Sequence, residues 1–199
     1  MLDSWNLQTY NGIMNKKELI LQEAAILFAE KGYYGVGLAE LLGKCGVPKG
    51  SFYYYFPGGK IQLIQEVLKS SYQRMKDGIT PKVLAEVSAC EAFQHMTQRL
   101  AEGVMVRRHY PSMLMSMIAI ESVYLDEGVN ATCREIYSDW QKMYADFLVY
   151  FGMPPEDSVV KAQAIFALVH GSLISSWIKR DSTDLLLIRQ SIADVIGEY

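Results

Sequence analysis

Cysteine is scarce in this sequence: Cys45, Cys90 and Cys133 are its three, widely spaced and odd in number. That argues against a disulfide framework, and the lack of any CxxC pair argues against the common zinc modules. Histidine is equally sparse. His95, His109 and His170 are scattered with no HExxH or similar ligand spacing, so neither a metal nor a cofactor is expected. With no GxSxG turn and no glycine-rich phosphate loop, enzymatic chemistry is not expected either. Long uninterrupted apolar runs are missing too. Residues 162–178 come closest but are broken by His170 and serines, so no bilayer-spanning segment is expected. The opening MLDSWNLQTYNGIMN lacks the basic flank and apolar core of a secretion signal. These absences predict a cytoplasmic protein without a membrane partner. Residues 1–15 read as a disordered arm, and Met14, directly before the first helical pattern, as a second candidate start.

What is present is a foldable chain. Half of its 199 residues are hydrophobic and 21% are charged. The net charge of -3 disfavours a nucleic-acid partner, but its distribution reverses that. Residues 16–76 carry nine Lys/Arg against five Glu, whereas residues 77–199 carry ten Lys/Arg against sixteen Asp/Glu. A basic end on an acidic body is the asymmetry expected where one end meets phosphate.

Every periodic segment reads as helix, and the fold class predicted is all-α. Leu21, Ala24, Ala25 and Phe28 recur at helical spacing before Gly32. Leu38, Leu41 and Leu42 mark a second short helix. Val47, Phe52 and Phe56 mark a third, and Ile61, Ile64, Leu68 and Met75 a fourth that runs to Gly78 and Pro81. In the second half, Ser88-x-x-Glu91 reads as a capping box opening a helix toward Arg108. Pro111 opens another that Gly128 breaks. Further helices are predicted at 130–150, 156–179 and 183–197, with a turn at Gly152-Met153-Pro154-Pro155.

The sharpest local signal is GLAELLGKCGVPKGSFYYYF, residues 37–56. Gly46 suits a tight turn needing positive φ. Val47 plugs the corner, and Pro48 suits the first turn of the next helix, where no intrahelical N–H is needed. Lys49, Gly50 and Ser51 then occupy its exposed N-terminal end, the part a recognition helix presents to base edges. Gly50 lets the backbone approach closely, and Lys49 can donate to guanine or phosphate.

With AAxLFAEKGY (Ala24 to Tyr33) before it and Lys60 and LIQEVL (Leu63 to Leu68) after it, this stretch resembles the TetR family of one-component repressors over residues 16–68. Phe56-Pro57-Gly58-Gly59-Lys60 and the later HGSLISSWIKRDSTDLL are similar to the LmrA/YxaF-like subgroup. The resemblance implies a helix-turn-helix head over 16–60 and a ligand-binding and dimerisation body over 61–199, with the helix at 61–76 as connector. It places Lys49, Gly50, Ser51 and Tyr54 near bases, and Tyr53, Tyr55 and Lys60 near phosphates. Tyr53 is open to packing as well, since it neighbours Phe52 and Phe56, whereas Tyr54 and Tyr55 are expected to be exposed. Lys16 and Lys17 can reach phosphate or simply solvate a helix start. The sequence departs from the family at Val36 and Gly37, where Thr or Ser usually caps the second helix. Glycine is an acceptable N-cap, but a side-chain phosphate contact is lost.

The body is rich in methionine and aromatic residues, which suit a core and equally a pocket for varied apolar molecules. The resemblance implies such a pocket, and Met113, Met117, Trp140, Tyr144 and Phe147 are its expected walls. Glu121 follows Met117 by one turn; it is either a solvated carboxylate or a buried one favouring a cationic ligand. Leu173, Ile174 and Trp177, with Ile188 and Ile192 of the last helix, are expected to pair two chains into a homodimer suited to a palindromic operator. The expected function is repression of transcription, relieved by a small, largely apolar inducer. The competing readings are a redox switch at Cys45, beside Lys44, and a helical interaction protein that no longer binds DNA. The retained PKGS stretch speaks against the latter.

Overall fold

A computed structural model describes residues 15–106 and 111–197. Residues 1–14 of the expected 1–15 arm, and His109, lie outside the described residues; Asn15 belongs to the first helix as its cap. Among the described residues there are nine helices and no strand, as the periodicity predicts. α1 (Lys16–Lys31), α2 (Leu38–Cys45) and α3 (Lys49–Tyr55) make the head. α4 (Gly59–Val83) leads to α5 (Ala89–Val106), α6 (Pro111–Leu125), α7 (Glu127–Tyr150), α8 (Pro155–Lys179) and α9 (Thr183–Ile196).

Local chemistry sets the head's boundaries. Asn15 caps α1, its side chain accepting from the Lys17 amide at 3.1 Å. Gly46 ends α2 at φ 61°, a left-handed conformation that costs glycine little. The Val47 amide then closes on the Leu42 carbonyl at 3.2 Å, and Val47 is buried in the corner. Pro48 is the N-cap of α3 rather than its first helical residue. Phe28, Leu41, Phe52 and Phe56 fill the space between the three helices.

Three helices differ from expectation. α4 continues past Gly78 to Val83 with Pro81 inside it. Proline has no N–H to give the helical ladder, and α4 ends two residues beyond it. α7 begins at Glu127, because Asp126 caps it by accepting from the Val129 amide at 3.1 Å, so Gly128 lies in its first turn and breaks nothing. α8, interrupted by His170 and serines as it is, remains long and apolar enough to cross a membrane by length and composition. Its apolar residues divide between two sides: Ile165, Phe166, Val169 and Leu173 are buried within the chain, while Val160, Ile174 and Ile178 are exposed.

In the body, α8 lies between α7 and α9, and α5 packs on α9. The head joins the body in two places: α4 packs against both α1 and α7, and α6 packs against α1.

Candidate nucleic-acid interface and effector site

The N-terminal end of α3 is free. Lys49 and Gly50 are exposed and Ser51 is half-buried. A Cβ added to Gly50 would meet no atom within 4 Å. Gly50 has no positive φ either, so nothing among the described residues requires glycine there. Tyr54 is 81% exposed; Tyr53 is 44% exposed and also packs edge-on to Phe52, with ring centres 5.2 Å apart, so both of its alternatives are present. Tyr55, expected at the surface, is half-buried against the core, with Tyr54 packed edge-on to its ring. Gly37 caps α2 without a side-chain bond, as its lack of a hydroxyl requires. Lys44 is an exposed cation at the end of α2 that the motif reading did not single out. Lys17 is engaged by Glu66 at 2.8 Å, leaving Lys16 the exposed cation at that helix start.

Lys60 is a correction. Its ammonium donates to the Tyr33 carbonyl oxygen and stands 4.0 Å from the centre of the Tyr33 ring. Burial lowers its pKa, opposed by the Glu121 carboxylate. Here the ammonium is turned in toward the end of α1 and not out toward the side where phosphate was expected.

Glu121 is a second correction. It neither faces the aromatic residues of α7 nor lies free in solvent. Its Oε2 accepts from the Tyr33 amide at 2.7 Å, and a Cβ on Gly32 would collide with its carboxylate. Gly32 itself sits at φ 67°. Both backbone groups of Tyr33, at the exit of α1, are therefore held by later helices: the N–H by Glu121 of α6, the carbonyl by Lys60 of α4. Glu121 and Tyr33 lie 88 positions apart, a pairing no local pattern announces.

Met113 and Met117 are also misplaced by the sequence reading. They are half-exposed and share a stripe with Ile120 and Tyr124, which are 67% and 85% exposed. The inward side of α6 carries Leu114, Met115, Ile118 and Ser122. Trp140, Tyr144 and Phe147 of α7 do point inward and are buried. Trp140 lies edge-on to Phe166 and His170 of α8, with ring centres 5.6 and 4.6 Å away. Tyr144 packs on Phe93 of α5 and on Phe166. Tyr72 of α4 closes the cluster 6.0 Å from Trp140. The Tyr72 hydroxyl donates to Asp139 at 2.6 Å, and Lys76 pairs with the same carboxylate at 2.8 Å. These bonds hold the Asp139 pKa low. The aromatic cluster is thus clamped to α4, the helix that also holds Tyr33.

The outer side of α8 and α9 exposes Ile174, Ile178, Leu186 and Leu187, with Trp177 and Ile188 half-buried. A cavity of about 360 Å³ lined by Gly171, Ser172, Ser175, Asp184, Leu187 and Ile188 opens there. Leu173 and Ile192, expected on that surface, are instead fully buried within their own chain. Cys45 is buried, and burial pushes its thiol up to about 11, so it holds almost no thiolate at neutral pH and the redox reading loses its candidate.

Comparison with known proteins follows the same division. Residues 20–67 match the bacterial regulatory proteins of the tetR family, and residues 89–191, more than half the chain, match the transcriptional regulator LmrA/YxaF-like C-terminal domain. The chain belongs to the TetR family. It is 30% identical to the HTH-type transcriptional regulator LmrA of Bacillus subtilis over 92% of this chain and 97% of that one. It is 26% identical to the regulator YxaF of the same organism, covering 89% and 93%. Among solved TetR-like folds, reduced NemR of Escherichia coli superposes with a TM-score of 0.82 at 21% identity, covering 93% and 100%. FadR of Bacillus subtilis, in complex with stearoyl-CoA, gives 0.70 at 14% identity, covering 90% and 97%. The protein is a helix-turn-helix transcriptional regulator and not an enzyme. TetR-family regulators bind DNA and small-molecule ligands, typically as dimers.

Proposed function

We propose that this TetR-family regulator is a cytoplasmic repressor that binds a palindromic operator as a homodimer and is released by a small, largely apolar ligand. The observation that carries the DNA reading is the free end of α3: an exposed lysine beside an exposed glycine whose Cβ position is empty. Lys49, Gly50, Ser51 and Tyr54 meet base edges, and Tyr53 and Lys44 meet phosphates. The head comprises 16–60 and the body 61–199, with α4 shared between them.

The exposed stripe of α8 and α9 pairs two chains through Ile174, Trp177, Ile178, Leu187 and Ile188. It accounts for an apolar helix whose outer side has no cover of its own. Such a dimer places two recognition helices about 34–36 Å apart, in successive major grooves.

The ligand enters the cluster around Trp140, Tyr144 and Phe147. FadR with its stearoyl-CoA supports the idea that this fold takes a ligand with a long apolar part. Two clamps carry the effect: Tyr72 and Lys76 on Asp139, and Glu121 with Lys60 on Tyr33. A ligand changes DNA affinity only if it binds one arrangement of these clamps better than the other; a hundredfold preference corresponds to about 2.7 kcal/mol. The experiment is duplex selection from random sequence followed by titration of Lys49→Ala. Weakened binding with relaxed base preference at one position supports the reading, and unchanged binding refutes it.

A further inference from the structure

One polar atom inside the aromatic cluster has no use in the fold. His170 of α8 is buried. Its Nδ1 lies 2.9 Å from the Phe166 carbonyl oxygen, one turn back. A carbonyl can only accept, so Nδ1 carries the proton. Burial pushes the imidazole pKa down to about 4, so at neutral pH the ring holds a single proton and Nε2 is a bare acceptor. Among the described residues that atom is shut from solvent and has no hydrogen-bond partner. Its ring stacks on Phe166 with centres 3.8 Å apart, stands edge-on to Trp140, and lies 5.9 Å from Tyr137. Neither neighbouring phenol bonds this atom: the Tyr72 hydroxyl donates to Asp139, and the Tyr137 oxygen is engaged by Ser116. The Trp140 indole N–H is also without a bond of normal geometry, with the Tyr144 hydroxyl beside it. Buried polar atoms in folded proteins nearly always find a partner, so an acceptor left bare among flat rings marks a place made for a donor from outside the chain.

We infer that His170 Nε2 is the polar anchor of the effector site, accepting a hydrogen bond from an uncharged hydroxyl or N–H group on a flat apolar ligand held among Trp140, Phe166 and Tyr137. This rests on the reading that the cluster is where the ligand enters, and it adds the ligand's chemistry. A carboxylate would set lone pair against lone pair. An ammonium would be buried without a counter-charge, since Asp139 is already engaged by Lys76. A neutral donor avoids both penalties and leaves the rest of the ligand to be recognised by ring contact.

The test uses the full-length protein and two probes that differ by one hydroxyl, naphthalene and 2-naphthol. Calorimetry gives the affinities, and the 15N resonance of His170 Nε2 reports whether that nitrogen accepts a hydrogen bond. The expected result is that 2-naphthol binds roughly three- to tenfold more tightly, the gain of one net hydrogen bond. It should also move the Nε2 resonance away from the bare-imine position, which naphthalene should not do. His170→Phe should erase the preference while still binding naphthalene. Should that variant fail to fold, the wild-type resonance decides. If both probes bind but the resonance stays put, or the preference survives in His170→Phe, the anchor is wrong and the effector site stands. A resonance already at the hydrogen-bonded position and unmoved by 2-naphthol identifies a buried water as partner and overturns the anchor. If neither probe binds the wild type, the effector site falls and the anchor with it.

Discussion

Gly50→Ala should push stability and DNA binding in opposite directions. Gly50 is the second residue of α3, exposed, and without positive φ. The added methyl meets nothing within 4 Å. In the free protein the change only removes freedom from the unfolded chain, which stabilises by about 0.4–1 kcal/mol. For a chain of this length that is a rise of about 1–4 °C in thermal midpoint. In the proposed DNA contact the same methyl stands where the α3 backbone approaches a base edge. Overpacking a close contact costs about 1–3 kcal/mol, which is about 5- to 160-fold in Kd. The matched control is Gly78→Ala, an equally open glycine about 28 Å along α4 from its first residue. It should stabilise the chain and leave operator affinity unchanged. Thermal denaturation and fluorescence anisotropy on a selected duplex read the two effects. If Gly50→Ala binds as wild type, or lowers the melting temperature, the argument that glycine is kept there for DNA approach fails.

Three further outcomes follow from the packing. Glu121→Ala should destabilise by about 1–3 kcal/mol, since the Tyr33 amide loses a charged acceptor; Gly32→Ala should cost less in that background than in wild type, and additive costs in a double-mutant cycle would show that the carboxylate does not hold this turn. Ile178→Arg should yield a folded monomer in sedimentation with lost operator binding, while Leu173→Arg should fail to fold, because Leu173 is buried in its own subunit; a dimeric Ile178→Arg protein would contradict the interface. Above about pH 7.5 His170 is neutral in both folded and unfolded states and contributes no pH dependence. As pH falls from 6.5 toward 4, the unfolded chain takes up a proton the folded chain refuses. Wild type should therefore lose up to about 3 kcal/mol more stability over that window than His170→Gln, and parallel denaturation curves would contradict the buried neutral ring.

The head was legible because its boundaries rest on local chemistry. Gly46 can take the left-handed turn, Pro48 fits a helix start, and Leu41, Val47 and Phe52 fall on inward faces by spacing alone. The body was legible as helices but not as faces. α6, Met-Leu-Met-Ser-Met-Ile-Ala-Ile at its centre, is apolar all round, so its pattern has no phase and the inward side was assigned to Met113 and Met117 rather than Leu114, Met115 and Ile118. α8 carried the same ambiguity for a different reason. One side is covered by its own chain and the other is left apolar, so Leu173 and Ile174 look alike in sequence and are opposite in the fold. Lys60 and Glu121 could not have been found by spacing, because their shared partner Tyr33 lies 27 and 88 positions away.

The central claim is that the basic head, doubled by dimerisation, reads DNA through α3. The most direct test selects duplexes from random sequence with the wild-type protein, then measures stoichiometry and affinity on the winner across a salt series. The account predicts a two-fold symmetric site, two chains for each half-site pair, and a steep linear fall of log K with log salt as phosphate contacts release counterions. Selection of no common sequence, one chain per site, or an affinity indifferent to salt would contradict it.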